Sequence, residues 1–293
     1  NHQKNNIKEA QNLYNKILGI DPNHSQTLNN IGTIFKNLKE SQKAKECFER
    51  AIKINPNYAD AHNNLGIIFQ DLSELQKAKN CYEKSILINP NLANIHNNLG
   101  IIFIELGEIE KAKNCFEQAI KINFNYIDAH FNLGIIFKGL GEYTKAKSSY
   151  EKVIEINPNY SSAHNNLGNI FKELGENQKA KECFEKTIEI NPNHSAAHNN
   201  LGVIFQELGE HQKANDCYEQ AININPNYVD ALNSLGNTLR ELKKFDKAEI
   251  SLKKVIKLKP DYAEAYNNLG AVLHNVGRFS EAIDKYKQAI KLK

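Results

Sequence analysis

Prolines fall at Pro22, Pro56, Pro90, Pro158, Pro192, Pro226 and Pro260, a step of 34 residues with one slot filled by Phe124. Glycines keep the same step at Gly32, Gly66, Gly100, Gly134, Gly168, Gly202, Gly236 and Gly270. Alanines do so from Ala10 to Ala282, and aromatic residues from Tyr14 and Phe48 to Tyr286, with Leu252 as the exception. Four columns in one register leave one class of solution, a unit that buries its apolar face against copies of itself. That period overrides the usual reading of a 293-residue chain as one or two globular domains.

Within a unit, Leu65, Ile68, Phe69 and Leu72 recur at helical spacing, and Ala78, Cys81, Tyr82 and Ile86 do so after a short break. Each unit is expected to be two amphipathic helices. Between them "ELGE" places Gly107, Gly141, Gly175 and Gly209 where a helix ends on a left-handed residue. The second helix stops at "INPN", because the residue before proline avoids helical angles. The glycine of "NNLG" is expected to let the two helices approach closely, with the alanine column as its partner.

This pattern resembles the tetratricopeptide repeat family in the 34-residue period and in the Leu-Gly, aromatic, Ala, aromatic and Pro columns. The resemblance covers the whole chain. It implies an all-α fold, a right-handed superhelical solenoid of helix-turn-helix repeats. The family's early tryptophan is replaced by Leu28, His62, His96, His130, His164, His198, Leu232 and Tyr266. The expected organisation is a single array over 1–293: a second helix alone in 1–24, full repeats at 25–58, 59–92, 93–126, 127–160, 161–194, 195–228 and 229–262, and a last repeat at 263–293 lacking its end. A chain that opens on Asn1 and holds no methionine is expected to be a piece or processed form of a longer product. Both ends are expected to expose apolar surface and to favour end-to-end self-association.

No apolar run approaches the ~18 residues of a membrane span, so no membrane partner is expected, and the expected location is cytoplasmic. A net charge of +3 does not argue for nucleic acid. The abundance of Lys, Asn and Ile is read as a coding bias. Cys47, Cys81, Cys115, Cys183 and Cys217 share one column, where neighbours ~10 Å apart exceed the ~7 Å a disulfide tolerates, so they read as small buried residues. His62, His96, His130, His164 and His198 form a column spaced too widely for a shared zinc, whose ligand bonds are ~2.1 Å. No metal, cofactor or catalytic constellation is expected, and the chain is not read as an enzyme. Lys45, Lys79, Lys113, Lys147 and Lys181 precede Glu49, Glu83, Glu117, Glu151 and Glu185 by four residues, the pattern of a solvated face with helical ion pairs.

The family resemblance makes the first helices the concave, binding face. The second asparagine of "NNLG" forms the column Asn30, Asn64, Asn98, Asn132, Asn166, Asn200 and Asn268, broken at Ser234. Because an amide donates and accepts at once, such a column suits peptide backbone. Asn63, Asn97, Asn165 and Asn199 stand beside it and join the candidate peptide-binding set. With ~10 Å per repeat and ~3.3 Å per extended residue, one asparagine meets about every third ligand residue. Acids such as Asp60, Asp128, Asp230 and Glu264 favour neutral or basic segments. The expected function is a protein-interaction scaffold for an extended peptide or partner helix. The alternative is the recognition arm of a protein glycosyltransferase or sulfotransferase, because "AHNNLG" and "INPNY" resemble the repeat arm of O-linked N-acetylglucosamine transferases.

Overall fold

In the computed structural model, every regular element among the described residues is a helix. The structure describes residues 2–292, with side chains from Glu9 onward. The expected chain limits Asn1 and Lys293 and the side chain of Ile7, where the sequence pattern starts the opening helix, lie outside the described residues. The helices fall into two compact units, Asn1–Leu140 and Gly141–Lys293. The first holds α1 (His2–Ile20), α2 (Ser25–Asn37), α3 (Ser41–Ile54), α4 (Ala59–Asp71), α5 (Leu75–Ile88), α6 (Ala93–Glu105), α7 (Ile109–Ile122) and α8 (Ile127–Gly139). The second holds α9 (Tyr143–Ile156), α10 (Ser161–Glu173), α11 (Asn177–Ile190), α12 (Ser195–Glu207), α13 (His211–Ile224), α14 (Val229–Glu241), α15 (Phe245–Leu258), α16 (Ala263–Asn275) and α17 (Phe279–Lys291). Inside each unit a first helix packs on its own second helix, which packs on the next first helix.

The closest approach within a repeat is a glycine against a ring. A Cβ on Gly32, Gly66 or Gly100 would stand 2.6, 2.7 or 2.6 Å from the ring of Phe48, Tyr82 or Phe116. In the second unit Gly168, Gly202 and Gly270 face Phe184, Tyr218 and Tyr286 in the same way, and Gly236 faces Leu252. The glycine's partner is therefore the aromatic column and not the alanine column. A ring needs the notch that a methyl group would fill; the alanines from Ala44 to Ala248 are fully buried in their own right. Tyr82 and Tyr218 donate their hydroxyls to Gln70 and Gln206 Oε1 at 3.0 Å, which lets these buried positions take Tyr as well as Phe.

The turn after each first helix closes with a left-handed residue. Gly107, Gly141, Gly175, Gly209 and Gly277 have φ between +73 and +80°, and Lys39, Ser73 and Lys243 adopt the same conformation at 61, 58 and 57°. The next amide reaches back over the helix end, as Glu108 N–H does to the Phe103 carbonyl at 2.8 Å and Glu74 N–H to Phe69 at 2.8 Å. This is the Schellman arrangement, which satisfies carbonyls that the helix leaves unpaired. At the other turn, the first asparagine of "INPN" accepts from the amide two residues on: Asn55 from Asn57 at 3.1 Å and Asn123 from Asn125 at 3.1 Å, with Asn89, Asn157, Asn191 and Asn225 alike. That Asx turn gives the asparagine a structural reason that coding bias does not supply. His24 and His194 cap the next helix instead, Nδ1 accepting from Thr27 and Ala197 N–H at 3.2 and 3.1 Å.

The lysine face keeps most of its expected i,i+4 pairs and adds contacts between repeats. The pairs of Lys45 with Glu49 and Lys79 with Glu83 are loose, both at 3.9 Å, and Lys113 reaches Glu110 at 3.1 Å. The column's lysines also lie over rings of the next repeat: Lys45 over Phe69 at 5.4 Å, Lys79 over Phe103 at 5.5 Å, Lys147 over Phe171 at 5.3 Å and Lys181 over Phe205 at 5.4 Å. Lys77, Lys111, Lys179 and Lys213 reach the same rings from their own repeats. With Lys45 and Lys79 only 25% and 20% exposed, the face is a seam between repeats, each cation–ring contact contributing about 0.5–1 kcal/mol. The cysteines are free and half-buried, not fully buried. Burial pushes the thiols of Cys81, Cys115, Cys183 and Cys217 up to about 11, which keeps them protonated and unreactive at neutral pH.

Two substitutions test these contacts by urea or thermal denaturation. Gly66→Ala drives a methyl group into the Tyr82 ring and is expected to destabilise by about 1–3 kcal/mol. Ser73→Gly relieves a left-handed serine and is expected to stabilise by about 0.5–1 kcal/mol, the strain removed less the extra freedom of glycine in the unfolded chain.

Candidate functional site

The two asparagines of "NNLG" occupy different environments. Asn29, Asn63, Asn97, Asn165, Asn199 and Asn233 are buried in the seam between repeats. Asn30, Asn64, Asn98, Asn132, Asn166, Asn200 and Asn268, one residue further round the first helix, are half-buried. The columns are joined across repeats. In the first unit the Nδ2 groups of Asn64, Asn98 and Asn132 donate to Oδ1 of Asn29, Asn63 and Asn97 at 3.0, 3.4 and 3.1 Å. In the second unit Asn200 donates to Asn165 at 3.3 Å and Asn268 to Asn233 at 3.0 Å. Each bond spans one repeat plus one residue, so it ties a first helix to its predecessor.

The bond uses part of each amide. A side-chain amide carries two hydrogens and an oxygen with two lone pairs, so one inter-repeat bond leaves a hydrogen and the carbonyl for other partners. Asn64, Asn98 and Asn132 thus hold oriented, partly committed amides at equivalent places on α4, α6 and α8. Asn200 is more fully engaged, with a further bond to Asn169 Oδ1 at 3.0 Å and a contact accepted from Asn199 Nδ2 at 3.4 Å. Near Asn166, burial pushes the Tyr150 hydroxyl up to about 12, with Asn166 acting the other way. Of the candidate set, the buried Asn63, Asn97, Asn165 and Asn199 orient or join the seam, and the second column offers the accessible amides.

Half-buried tyrosines precede several first helices, Tyr58, Tyr126, Tyr160, Tyr228 and Tyr262, in the 34-residue register with Leu92 and His194 interrupting them. Burial and then Asp60 raise the pKa of Tyr58, with Asn29 acting the other way. Burial followed by Asp128 raises Tyr126, and burial followed by Asp230 raises Tyr228. For Tyr262, burial and then Glu264 and Asp230 push the hydroxyl up to about 12. These hydroxyls remain protonated donors at neutral pH, with exposed carboxylates close by.

The histidine column is committed elsewhere. Nε2 of His62, His96, His130, His164 and His198 lies 2.8–3.0 Å from the carbonyl six residues earlier, in the "NPN" or "NFN" turn. A carbonyl only accepts, so Nε2 carries the proton and each imidazole fastens the turn that precedes its helix. Among the described residues, no group of three His, Cys, Asp or Glu side chains could hold a metal ion, and no helix is long and apolar enough to cross a membrane.

The break in the asparagine column leaves a mark. Ser234 stands where the donor to Asn199 would be, and Asn199 Oδ1 is buried without a hydrogen-bond partner. Ser234→Asn is expected to supply that donor and to stabilise the second unit by about 1 kcal/mol, read as a raised urea midpoint.

Family models described as tetratricopeptide repeat match residues 57–124 and 159–227, residues 25–58, 127–160 and 263–293, and residues 217–250. A further model described as TPR repeat matches 236–277. No curated protein matches the chain by sequence. Among solved structures, MamA is 28% identical, with a TM-score of 0.51 over 54% of this chain and 93% of that one. YrrB, described as a TPR protein with an unusual peptide-binding site, is 25% identical, with a TM-score of 0.56 over 65% of this chain and 98% of that one. The APC/C hetero-tetramer Cut9–Hcn1 shares the fold at 18% identity, with a TM-score of 0.66 over 91% of this chain and 52% of that one. Repeat matches over most of the chain, together with paired helices in the same register, place it in a family: this chain belongs to the tetratricopeptide repeat family.

Proposed function

We propose that the chain is a protein-interaction scaffold whose first helices hold an extended peptide through the amides of the second asparagine column. The observation that carries this reading is the bond from Asn64, Asn98 and Asn132 to Asn29, Asn63 and Asn97, which fixes each amide before any ligand arrives. An amide already oriented loses little side-chain entropy on binding. Its remaining hydrogen and carbonyl match the C=O and N–H of a peptide whatever the ligand's side chains. Equivalent amides one repeat apart, ~10 Å, correspond to about three extended residues, so affinity grows with ligand length. Exposed Asp60, Asp128 and Glu105 give the first unit's face an acidic border and a preference for neutral or basic ligands.

The test uses the full chain and a diverse peptide library, with circular dichroism to establish folding. Replacing Asn64, Asn98 and Asn132 by Ala removes both the ladder bonds and the ligand-facing amides. Capture is expected to fall about tenfold or more, with a stability loss of about 1 kcal/mol per site. Retained capture by a folded variant would contradict the proposal.

A further inference from the structure

A second surface lies in the first unit, along the edge where second helices end in the "INPN" turns. Three clefts follow one another there at one-repeat intervals. The first, about 490 Å³, is lined by Arg50, Lys53 and Ile54. The second, about 630 Å³, is lined by Lys84, Leu87 and Ile88 beside Pro56 and His62. The third, about 590 Å³, is lined by Lys121 and Ile122 beside Pro90 and His96. Apolar side chains stand out along the same edge: Leu87 is 77% exposed, and Phe124, in the slot where other repeats carry proline, is 65% exposed.

Charge separates this edge from its counterparts on α9 and α11. Among the described residues no carboxylate pairs with Arg50, Lys53, Lys84 or Lys121. Two and three repeats after Lys84 and Leu87 the same positions hold Lys152 with Glu155 and Lys186 with Glu189, each pair closed at 2.8 Å. The C-termini of α3, α5 and α7 each bring about half a negative charge to this edge, less than its four cations offset. The first unit's edge therefore combines unpaired cations, exposed apolar side chains and concave receptacles.

We infer that this edge docks an acidic partner segment with large apolar side chains, its carboxylates against Arg50, Lys53, Lys84 and Lys121 and its apolar groups in the clefts lined by Ile54, Leu87, Ile88 and Ile122. Discrete clefts favour a polypeptide over an anionic lipid surface, which has nothing to insert into three separate recesses. The surface is distinct from the asparagine face, which prefers the opposite charge.

The probe is a fluorescein-labelled synthetic peptide of repeating Glu, Glu and Leu, about twelve residues long, so that one Leu recurs near each ~10 Å interval. Fluorescence anisotropy with the full chain is expected to show binding that weakens as salt rises, and about tenfold or more loss in a Lys84→Glu, Lys121→Glu variant of unchanged circular dichroism. A Leu87→Ser, Phe124→Ser variant is expected to bind severalfold more weakly, and Asn98→Ala with Asn132→Ala to bind as well as the parent. Binding undiminished by the charge reversal would overturn the inference. So would loss on the asparagine change alone, or co-sedimentation with phosphatidylserine vesicles in the absence of peptide binding.

Discussion

The structure depends on how close two helices can come inside one repeat. Gly66 against the Tyr82 ring, and its counterparts at Gly32, Gly100, Gly168 and Gly202, seat a fully buried aromatic side chain in a notch without a Cβ. That contact sets the angle and spacing of the pair, and the pair's remaining apolar surface can be buried only by the next pair. The interactions between repeats sit on that spacing: the lysines over Phe69 and Phe103, the histidine bonds to the turns, and the asparagine bonds across first helices. A nearest-neighbour architecture of this kind has no distant core to buffer a misplaced repeat.

Much of the local structure was legible in the sequence because its causes are local. Apolar spacing marks both helices of each repeat, "ELGE" marks the left-handed end of the first, and "INPN" marks the end of the second. The glycine's role was legible but its partner was not, since the ring and the alanine column both recur with the same period and only packing tells them apart. The lysine column was legible in its ion pairs and not in its ring contacts, for a related reason. An i,i+4 lysine and glutamate look paired on an isolated helix, but the next repeat places a ring within reach of the ammonium and leaves the carboxylate at 3.9 Å.

The candidate face was legible in composition and not in wiring. Two adjacent asparagines suggest two similar residues, yet the turn of a helix sends Asn63 into the seam and leaves Asn64 at its edge. Their pairing joins residues separated by one repeat plus one, an offset that no single-repeat pattern displays. Ser234 shows the dependence from the other side, because the column's gap coincides with an unpaired buried oxygen on Asn199. The tyrosines of "INPNY" were visible as a column interrupted at Leu92 and His194, and the carboxylates beside Tyr58, Tyr126 and Tyr228, Asp60, Asp128 and Asp230, follow two residues on.

On the proposed reading, Asn64, Asn98 and Asn132 each have one amide hydrogen engaged by the preceding repeat and one held for a ligand. The side-chain amide resonances of Asn64, Asn98 and Asn132 in a 15N-labelled sample test this directly, followed as an extended neutral or basic peptide is titrated in. In the free protein one hydrogen of each amide is expected to exchange slowly with water and the other rapidly, and the rapid one is expected to shift and become protected as the peptide binds. Peptide binding that leaves all three amides unshifted would contradict the account, and so would two rapidly exchanging hydrogens in the free protein.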